Sequence, residues 1–284
     1  MPARAVLVDG EAIAAGAALF FAERGLHYGD GLFETIALVN GRPLFWEAHL
    51  RRLAQGASIL GIPMPAAGDW EADLSRLQAL SEPLSHGVLK LMLTRGPGWG
   101  YAPPAMPTPR RYAVILPWPD RPGANWRPGI RTAICPTPLA TGAPYLTVKS
   151  LNRLNQIQAR RELSPEYPEG ILLDGKGVLR EGIMSNLFWV EGGRLCTPRL
   201  DDGGIAGIQR AAIMDQGRSW GLEVREEQRG PEALETADEL FFCNSLMGIW
   251  PVRQFAARSW PGSAGAVAAA LLTWGEGLGL GARP

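Results

Sequence analysis

The stretch PWPDRPGANWRPG, residues 117–129, divides the sequence into two parts. Its prolines stiffen the backbone and remove hydrogen-bond donors, so few contacts are expected to cross it. We therefore predict an interdomain linker over residues 119–129. An N-terminal domain over residues 1–118 and a C-terminal domain over residues 130–284 are the expected units on either side of it.

Short apolar strands and amphipathic helices are predicted on both sides of this linker. The N-terminal pattern indicates strands over 32–39, 87–94 and 111–116, a hairpin turn at Asn40-Gly41, and a leucine-periodic helix that ends at Gly61. The C-terminal pattern indicates helices over 151–163, 208–221 and 264–274, and hairpins over 171–180 and 187–197. Because helices and strands do not alternate strictly, we predict an α+β fold with two domains.

The composition is that of an ordinary globular protein. Of the 284 residues, 46% are hydrophobic, and Lys+Arg and Asp+Glu number 28 each, which disfavours disorder and nucleic-acid or membrane partners. No apolar run reaches the roughly 18 residues of a membrane helix, and acidic residues interrupt any signal-like segment near the N-terminus. The three cysteines are far apart in the sequence, so neither disulfides nor a metal site are expected. These features predict a cytoplasmic protein.

Only three lysines are present, and they are the candidates for a nucleophilic amine because an arginine guanidinium does not lose its proton. Lys90 lies mid-strand between leucines, which is typical of a lysine that extends its stem along a strand. Lys176 lies at a predicted hairpin tip and is expected to be solvated. Lys149 lies between a loop and a predicted helix, where it is either an ordinary surface lysine or an amine that projects into a cleft.

Three further segments are candidates for ligand binding. Residues 203–210, GGIAGIQR, lead from glycines into a helix, and this is either a plain helix entry or an anion-binding turn. His49 and Arg52 lie off the leucine stripe of their helix, on either a solvated face or a phosphate site. Glu181 is either a charge on the surface of a hairpin or a carboxylate that holds a heteroaromatic nitrogen protonated.

Five blocks of the sequence together resemble the fold-type IV pyridoxal-phosphate enzymes. They are GLHYGDGLFET (25–35), HLRRL (49–53), KSLNRLNQ (149–156), EGIMSNLF (181–188) and AGIQR (206–210). That class contains branched-chain aminotransferases, D-amino-acid aminotransferases and aminodeoxychorismate lyases, and the KSLNRLNQ block is most similar to the lyases. The resemblance implies the D-amino-acid aminotransferase-like fold, in which a small N-terminal α/β domain precedes a larger, barrel-like C-terminal α/β domain that binds the cofactor.

The resemblance also implies roles for individual residues toward pyridoxal 5′-phosphate (PLP). Lys149 is expected to bind this cofactor covalently and Glu181 to pair with its pyridine nitrogen. The phosphate is expected to be held by one side chain, two backbone groups and one further donor, namely those of Arg52, Ile208, Gln209 and Ser245.

Residues on the substrate side follow from the same resemblance. Thr35 matches a threonine that the lyases carry at the reactive face, Tyr28 is expected to line the site, and Arg95 and Tyr101 are expected to reach substrate carboxylates. The loop RGPGWGY, residues 95–101, departs from the lyases because it is one residue shorter and carries Trp99 at its tip.

The implied activity is conversion of 4-amino-4-deoxychorismate to 4-aminobenzoate and pyruvate, a lyase reaction of folate biosynthesis, by a homodimer. A PLP-dependent aminotransferase acting on D-amino or branched-chain amino acids is the alternative on the same fold. A non-catalytic protein on this scaffold, or an unrelated small-molecule binder, is a third reading that predicts a colourless preparation.

Overall fold

A computed structural model describes residues 5–13 and 21–282, which form two compact units. The first unit comprises Met1–Pro119 together with Val148–Asn152, and the second comprises Asp120–Thr147 together with Arg153–Pro284. The short segment Val148–Asn152 contains Lys149. This lysine therefore belongs to the first unit, although the sequence predicts it within the C-terminal domain.

The first unit is a six-stranded sheet with helices packed on it, and its strands follow the order β2-β1-β6-β5-β3-β4. The strands are β1 (Val6–Val8), β2 (Glu11–Ile13), β3 (Gly31–Val39), β4 (Arg42–Pro43), β5 (His86–Thr94) and β6 (Arg110–Pro117). The helices are α1 (Arg24–Tyr28), α2 (Trp46–Leu60) and α3 (Ala67–Leu80). All strand pairs in this sheet are antiparallel.

Local sequence accounts for the turn and the helix that follow β3. Asn40 and Gly41 both have positive φ, 50° and 75°, as a two-residue hairpin turn requires. Helix α2 buries Leu50, Leu53 and Ala57 in the core of the first unit. The helix ends at Gly61, whose left-handed conformation allows its N–H to reach the carbonyls of the last turn.

The alternation of β3 separates two kinds of side chain. Leu32, Glu34 and Ile36 are buried, whereas Phe33 and Thr35 are only half-buried. Side chains that alternate along a strand lie on opposite faces of the sheet. Strand β3 thus presents a charged residue to the buried face and an aromatic ring and a hydroxyl to the other.

The segment Val148–Asn152 runs beside β3 instead of entering the helix predicted over 151–163. The Phe33 N–H donates to the Lys149 carbonyl at 3.0 Å, and the Leu151 N–H donates to the Gly31 carbonyl at 2.9 Å. Helix α4 begins only at Leu154 and extends to Glu162. The start predicted for this helix is wrong because backbone pairing with β3 determines the conformation of these residues.

The second unit contains a nine-stranded mixed sheet with the order β12-β11-β10-β13-β14-β7-β8-β9, and β15 pairs with β14. Its strands are β7 (Ile130–Ile134), β8 (Glu169–Leu173), β9 (Leu179–Gly182), β10 (Asn186–Glu191), β11 (Arg194–Pro198), β12 (Val224–Glu227), β13 (Glu239–Asn244), β14 (Gly248–Phe255) and β15 (Arg258–Ser259). Beside α4, its helices are α5 (Ile208–Ser219), α6 (Ala233–Thr236) and α7 (Ala266–Gly277). Strand β9 also approaches β10 and β11, so the sheet curls into a half-barrel.

The core of the second unit is rich in aromatic residues. The rings of Phe188 and Phe241 stack with their centroids 5.3 Å apart, and Trp189 and Trp250 are almost fully buried. Burial of such large side chains is the main favourable contribution to the stability of a sheet of this size. The predicted α+β class, with the fold-type IV architecture, is confirmed.

Within the described part of the chain, no helix is both long enough and apolar enough to cross a membrane.

Candidate active site

Lys149 lies in the first unit beside the half-buried face of β3. Its Nζ is 4.4 Å from the centroid of the Phe33 ring, and the Nζ of Lys90 is 5.6 Å from the same centroid. Thr35 lies directly opposite Lys90 in the β3–β5 register. Two amines therefore lie near one aromatic ring, and Thr35 lies opposite one of them in the sheet. Lys90, which the sequence pattern predicts to be an ordinary strand lysine, is thus close to Lys149.

Glu34 is buried against α2 and joins the two candidate residues of that helix. Its carboxylate accepts from Arg52 through Nε at 2.8 Å and Nη2 at 2.6 Å, a bidentate pair. The His49 Nδ1 lies 2.7 Å from the same carboxylate. His49 is fully buried and the Arg52 side chain is only 16% exposed, so the solvated-face interpretation of these two residues is wrong.

The charges of this cluster follow from its burial and its contacts. Burial alone would raise the pKa of Glu34, but hydrogen bonds and charge from Arg52 and His49 lower it to about 2. Burial lowers the pKa of His49, and the positive charges of Arg52 and Lys149 act in the same direction against the effect of Glu34. His49 is therefore neutral near pH 7, and its Nδ1 carries the proton because an ionised carboxylate only accepts.

Arg95 is occupied by structural contacts. It donates to Asp30 through Nε at 2.8 Å and Nη2 at 3.0 Å, and to the Leu60 and Gly61 carbonyls at the end of α2. Burial would raise the pKa of Asp30, but Arg95 and Arg24 lower it. These contacts fix the end of α2, and we do not propose that Arg95 reaches a substrate carboxylate.

The loop that carries Trp99 and Tyr101 is attached to α1. The Arg24 side chain donates to the Gly100 carbonyl at 2.7 Å, and the Gly100 N–H donates to the Tyr28 hydroxyl at 2.9 Å. The Tyr28 and Tyr101 rings are 5.6 Å apart, yet Tyr101 is 90% exposed. The two tyrosines thus lie together on the surface of the first unit.

Glu181 lies at the end of β9 in the second unit and is only 4% exposed. This burial excludes the interpretation of Glu181 as a surface hairpin charge. Its Oε2 accepts from the Ile205 N–H at 2.7 Å. Burial lowers the pKa of Arg153, and the negative charge of Glu181 opposes that shift. Glu181 is therefore a buried carboxylate whose negative charge interacts with the guanidinium of Arg153.

The first turn of α5 has the features of an anion site. Gly207 precedes the helix and provides no side-chain cap, so the N–H groups of the first turn are not capped by a side chain. Ile208 and Gln209 are both buried. Both polar atoms of the Gln209 amide lack a hydrogen-bond partner among the residues that the structure describes. An oxygen-rich anion such as the phosphate of PLP can accept from these N–H groups and from Gln209 Nε2, whereas Gln209 Oε1 is an acceptor and does not contribute to such a site.

Ser245 lies half-buried in the turn between β13 and β14. The Asn244 side chain orders this turn, because its Oδ1 accepts from the Leu246 and Met247 N–H groups at 2.9 Å each and its Nδ2 donates to the Met184 carbonyl. The predicted residues therefore fall into two sets, one in each unit. The first unit holds Tyr28, Thr35, Arg52, Arg95, Tyr101 and Lys149, and the second holds Glu181, Ile208, Gln209 and Ser245.

The family-model match covers residues 31–255 and is described as amino-transferase class IV. The chain is 30% identical to the aminodeoxychorismate lyase of Vibrio harveyi over 83% of this chain and 86% of that protein. The crystal structure of 4-amino-4-deoxychorismate lyase from Pseudomonas aeruginosa superimposes with a TM-score of 0.88 at 40% identity, covering 96% of this chain and 98% of that one. A branched-chain amino acid aminotransferase from Escherichia coli superimposes with a TM-score of 0.85 at 27% identity, covering 98% and 95%.

This chain belongs to the amino-transferase class IV family. The resemblance to fold-type IV enzymes is thereby confirmed, and lyases and aminotransferases are both among the relatives.

Replacing Glu34 with glutamine tests the buried ion pair. The pKa of Glu34 is lower in the folded protein than its ordinary value of 4.5, so the carboxylate stabilises the fold above pH 4.5 and this contribution is lost as the pH falls toward 2. We expect E34Q to lower the free energy of unfolding by about 3 kcal/mol at pH 7, because Arg52 loses a buried partner. The difference from wild type should shrink between pH 4.5 and 2, as measured by urea unfolding at a series of pH values.

The matched control is Glu11→Gln, which removes a carboxylate from an exposed pair with Arg76. Such a pair contributes about 0–1 kcal/mol, so this variant should unfold nearly as the wild type does. A stability loss in E34Q that stays constant from pH 7 to pH 2 would contradict the assignment.

Proposed function

We propose that this chain is a PLP-dependent lyase that converts 4-amino-4-deoxychorismate to 4-aminobenzoate and pyruvate. The observation that carries the proposal is its 40% identity, over nearly the whole of both chains, to a structure of a lyase with that name. The aminotransferase of similar shape is 27% identical. The KSLNRLNQ block, residues 149–156, adds a lyase-like pattern around the amine itself.

PLP, when bound, withdraws electrons from the substrate carbon that bears the amino group. The residues proposed to hold PLP provide an amine, a carboxylate and donors for its phosphate. Lys149 would supply the amine for covalent attachment, and Glu181 would keep the pyridine nitrogen protonated. Arg52, Ser245 and the start of α5 at Ile208 and Gln209 would bind the phosphate through charge and N–H donors.

Lys149 has two further tasks in this proposal. With its amine free, Lys149 would remove the proton from the substrate carbon that bears nitrogen. The enolpyruvyl group then leaves, and the ring becomes aromatic, which drives the elimination. Lys149 or Thr35 donates the proton that converts the departing fragment to pyruvate.

The cation at Lys90 supports recognition of an acidic substrate. Its ammonium group lies against the same ring as that of Lys149 and opposite Thr35. Aminodeoxychorismate carries two carboxylates, and a flexible ammonium group is a suitable partner for one of them. We assign this role to Lys90 rather than to Arg95, whose contacts hold the end of α2.

An aminotransferase of D-amino or branched-chain amino acids is the second candidate, because aminotransferases are also among the relatives. We expect purified protein to form 4-aminobenzoate from aminodeoxychorismate without a keto-acid acceptor. Lys149→Ala should reduce this turnover by at least about a thousandfold, since both the attachment point and the base are lost. The measurement is the fluorescence of the aromatic product.

The parallel arm of the assay supplies D-alanine or leucine with 2-oxoglutarate. Transamination without formation of 4-aminobenzoate would contradict the lyase proposal and favour the second candidate. A colourless protein with neither activity would contradict both.

A homodimer is also part of the proposal, supported by an exposed apolar patch on the first unit. Four of its side chains are more than half exposed: Phe21, Leu26, Trp99 and Tyr101. The rings of Phe21 and Trp99 are 5.7 Å apart and both lie against His27. Contiguous aromatic surface of this kind marks protein interfaces, so we assign the patch to a second copy of the chain.

Charged substitutions in this patch test the dimer. We expect wild type to be dimeric by light scattering and the double variant Trp99→Glu, Tyr101→Glu to be monomeric, because two carboxylates would be buried at the interface. Trp220→Glu is the control, since Trp220 is an exposed aromatic residue of the second unit. A wild-type monomer, or a double variant that remains dimeric, would contradict the assignment.

A further inference from the structure

We propose that Asn186 is a positioning residue that, together with Glu181, holds the backbone of Ile205 and thereby fixes the anion-binding turn at the start of α5. The inference rests on the proposed function in one respect, namely that this turn receives the phosphate of PLP. It concerns the second unit alone, and every contact that supports it lies within residues 169–210.

Both backbone polar groups of Ile205 are held by buried side chains. Its N–H donates to Glu181 Oε2 at 2.7 Å, and its carbonyl accepts from Asn186 Nδ2 at 2.7 Å. Glu181 is 4% exposed and Asn186 is 5% exposed, so solvent does not compete for these bonds. A backbone unit whose donor and acceptor are both fixed in this way cannot rotate without breaking a buried hydrogen bond.

Two glycines precede the backbone unit that is held in this way. Gly203 and Gly204 have φ of 154° and 92°, values that only glycine adopts easily, and glycine-rich backbone loses the most conformational freedom when it is ordered. Residues 201–207, which include these glycines, form turns, bends and irregular backbone before α5 begins. The bonds from Glu181 and Asn186 to Ile205 therefore constrain the direction in which the chain enters α5.

Asn186 also explains why residue 207 is glycine. A Cβ built on Gly207 would lie 2.0 Å from Asn186 Oδ1, far closer than any van der Waals contact. Asn186 could move away only by giving up its bond to the Ile205 carbonyl. The asparagine and the glycine that begins α5 are thus sterically coupled.

The turn between β9 and β10, which lies between Glu181 and Asn186, is held in place by hydrogen bonds to Glu169. Residues 182–185 connect Glu181 to Asn186, and Glu169 accepts from the Ile183 N–H and the Ser185 hydroxyl at 2.8 Å each. Burial raises the pKa of Glu169, while these donors act in the opposite direction. Glu181 and Asn186 therefore extend from a rigid base, and Asn186 acts on the anion site through Ile205 and Gly207.

Comparing the affinity for PLP with that for pyridoxal, which lacks the phosphate, distinguishes a role of Asn186 in phosphate binding from a general structural role. We expect Asn186→Ala to weaken PLP binding about tenfold, the equivalent of one lost buried hydrogen bond, while the affinity for pyridoxal stays the same. Quenching of tryptophan fluorescence in the cofactor-free protein reports both dissociation constants. Asn155→Ala is the matched control, because it removes an asparagine bond to the Pro138 carbonyl elsewhere in the second unit.

A double-mutant cycle tests the steric coupling without reference to any ligand. Gly207→Ala should destabilise the protein and weaken PLP binding, since its methyl group displaces Asn186. The same substitution should cost much less in the N186A background, where the methyl group has room. Urea unfolding measures the free energies for this comparison. If N186A does not fold, G207A alone still tests the contact, because its methyl group would collide with Asn186.

Two results would overturn the inference. The first is an N186A variant that binds PLP as the wild type does, or that loses PLP and pyridoxal equally. The second is strict additivity of the two substitutions in unfolding free energy. A wild-type protein that binds no PLP would instead contradict the proposed function, and the unfolding cycle would still decide whether Asn186 and Gly207 are coupled.

Discussion

Two backbone hydrogen bonds attach the segment that contains Lys149 to the sheet of the first unit. They join Phe33 to Lys149 and Leu151 to Gly31, so the segment from Val148 to Asn152 continues the sheet beside β3. Because the backbone is fixed, the amine of Lys149 lies over the Phe33 ring instead of moving freely in solvent. A reactive amine must be held in one place to act first as an attachment point and then as a base. The proposed chemistry depends on this pairing.

Buried carboxylates organise both units around their cationic and backbone donors. Glu34 holds Arg52 in a bidentate pair and fixes the proton of His49 on Nδ1. Glu181 holds the Ile205 N–H at the entrance to α5. Burying an isolated charge costs free energy, so a buried carboxylate requires hydrogen-bond donors as partners. Those donors are in turn held in place by the carboxylate. The arrangement provides fixed donors for an anionic ligand.

Much of the fold could be predicted from local sequence. The Asn40-Gly41 turn, the α2 helix ending at Gly61 and the hairpins of the second unit follow from turn residues and apolar spacing. Strand β14 was not predicted, because Pro251 and two polar residues after it obscure the strand pattern. The start of α4 was wrong because pairing with β3 is a long-range contact that local periodicity does not contain.

In the candidate site, too, some residues could be predicted from the sequence and others depend on long-range contacts. The resemblance proposes roles for Lys149, Glu181 and Gln209, but it assigns none to Glu34 or Asn186, which contact other protein groups. Glu34 could have been noticed from the sequence, because the alternation along β3 places this charged residue on the buried face with Leu32 and Ile36. The engagement of Arg95 with Asp30 and the end of α2 could not be read from sequence, since those partners are 34 and more positions away.

Covalent attachment at one amine is the central claim, and peptide mass spectrometry after borohydride reduction tests it most directly. The protein is loaded with PLP, reduced and digested, and the pyridoxyl group is located on its peptides. The account predicts modification of Lys149. Modification of Lys90 or Lys176 in its place, or of no lysine, would contradict it.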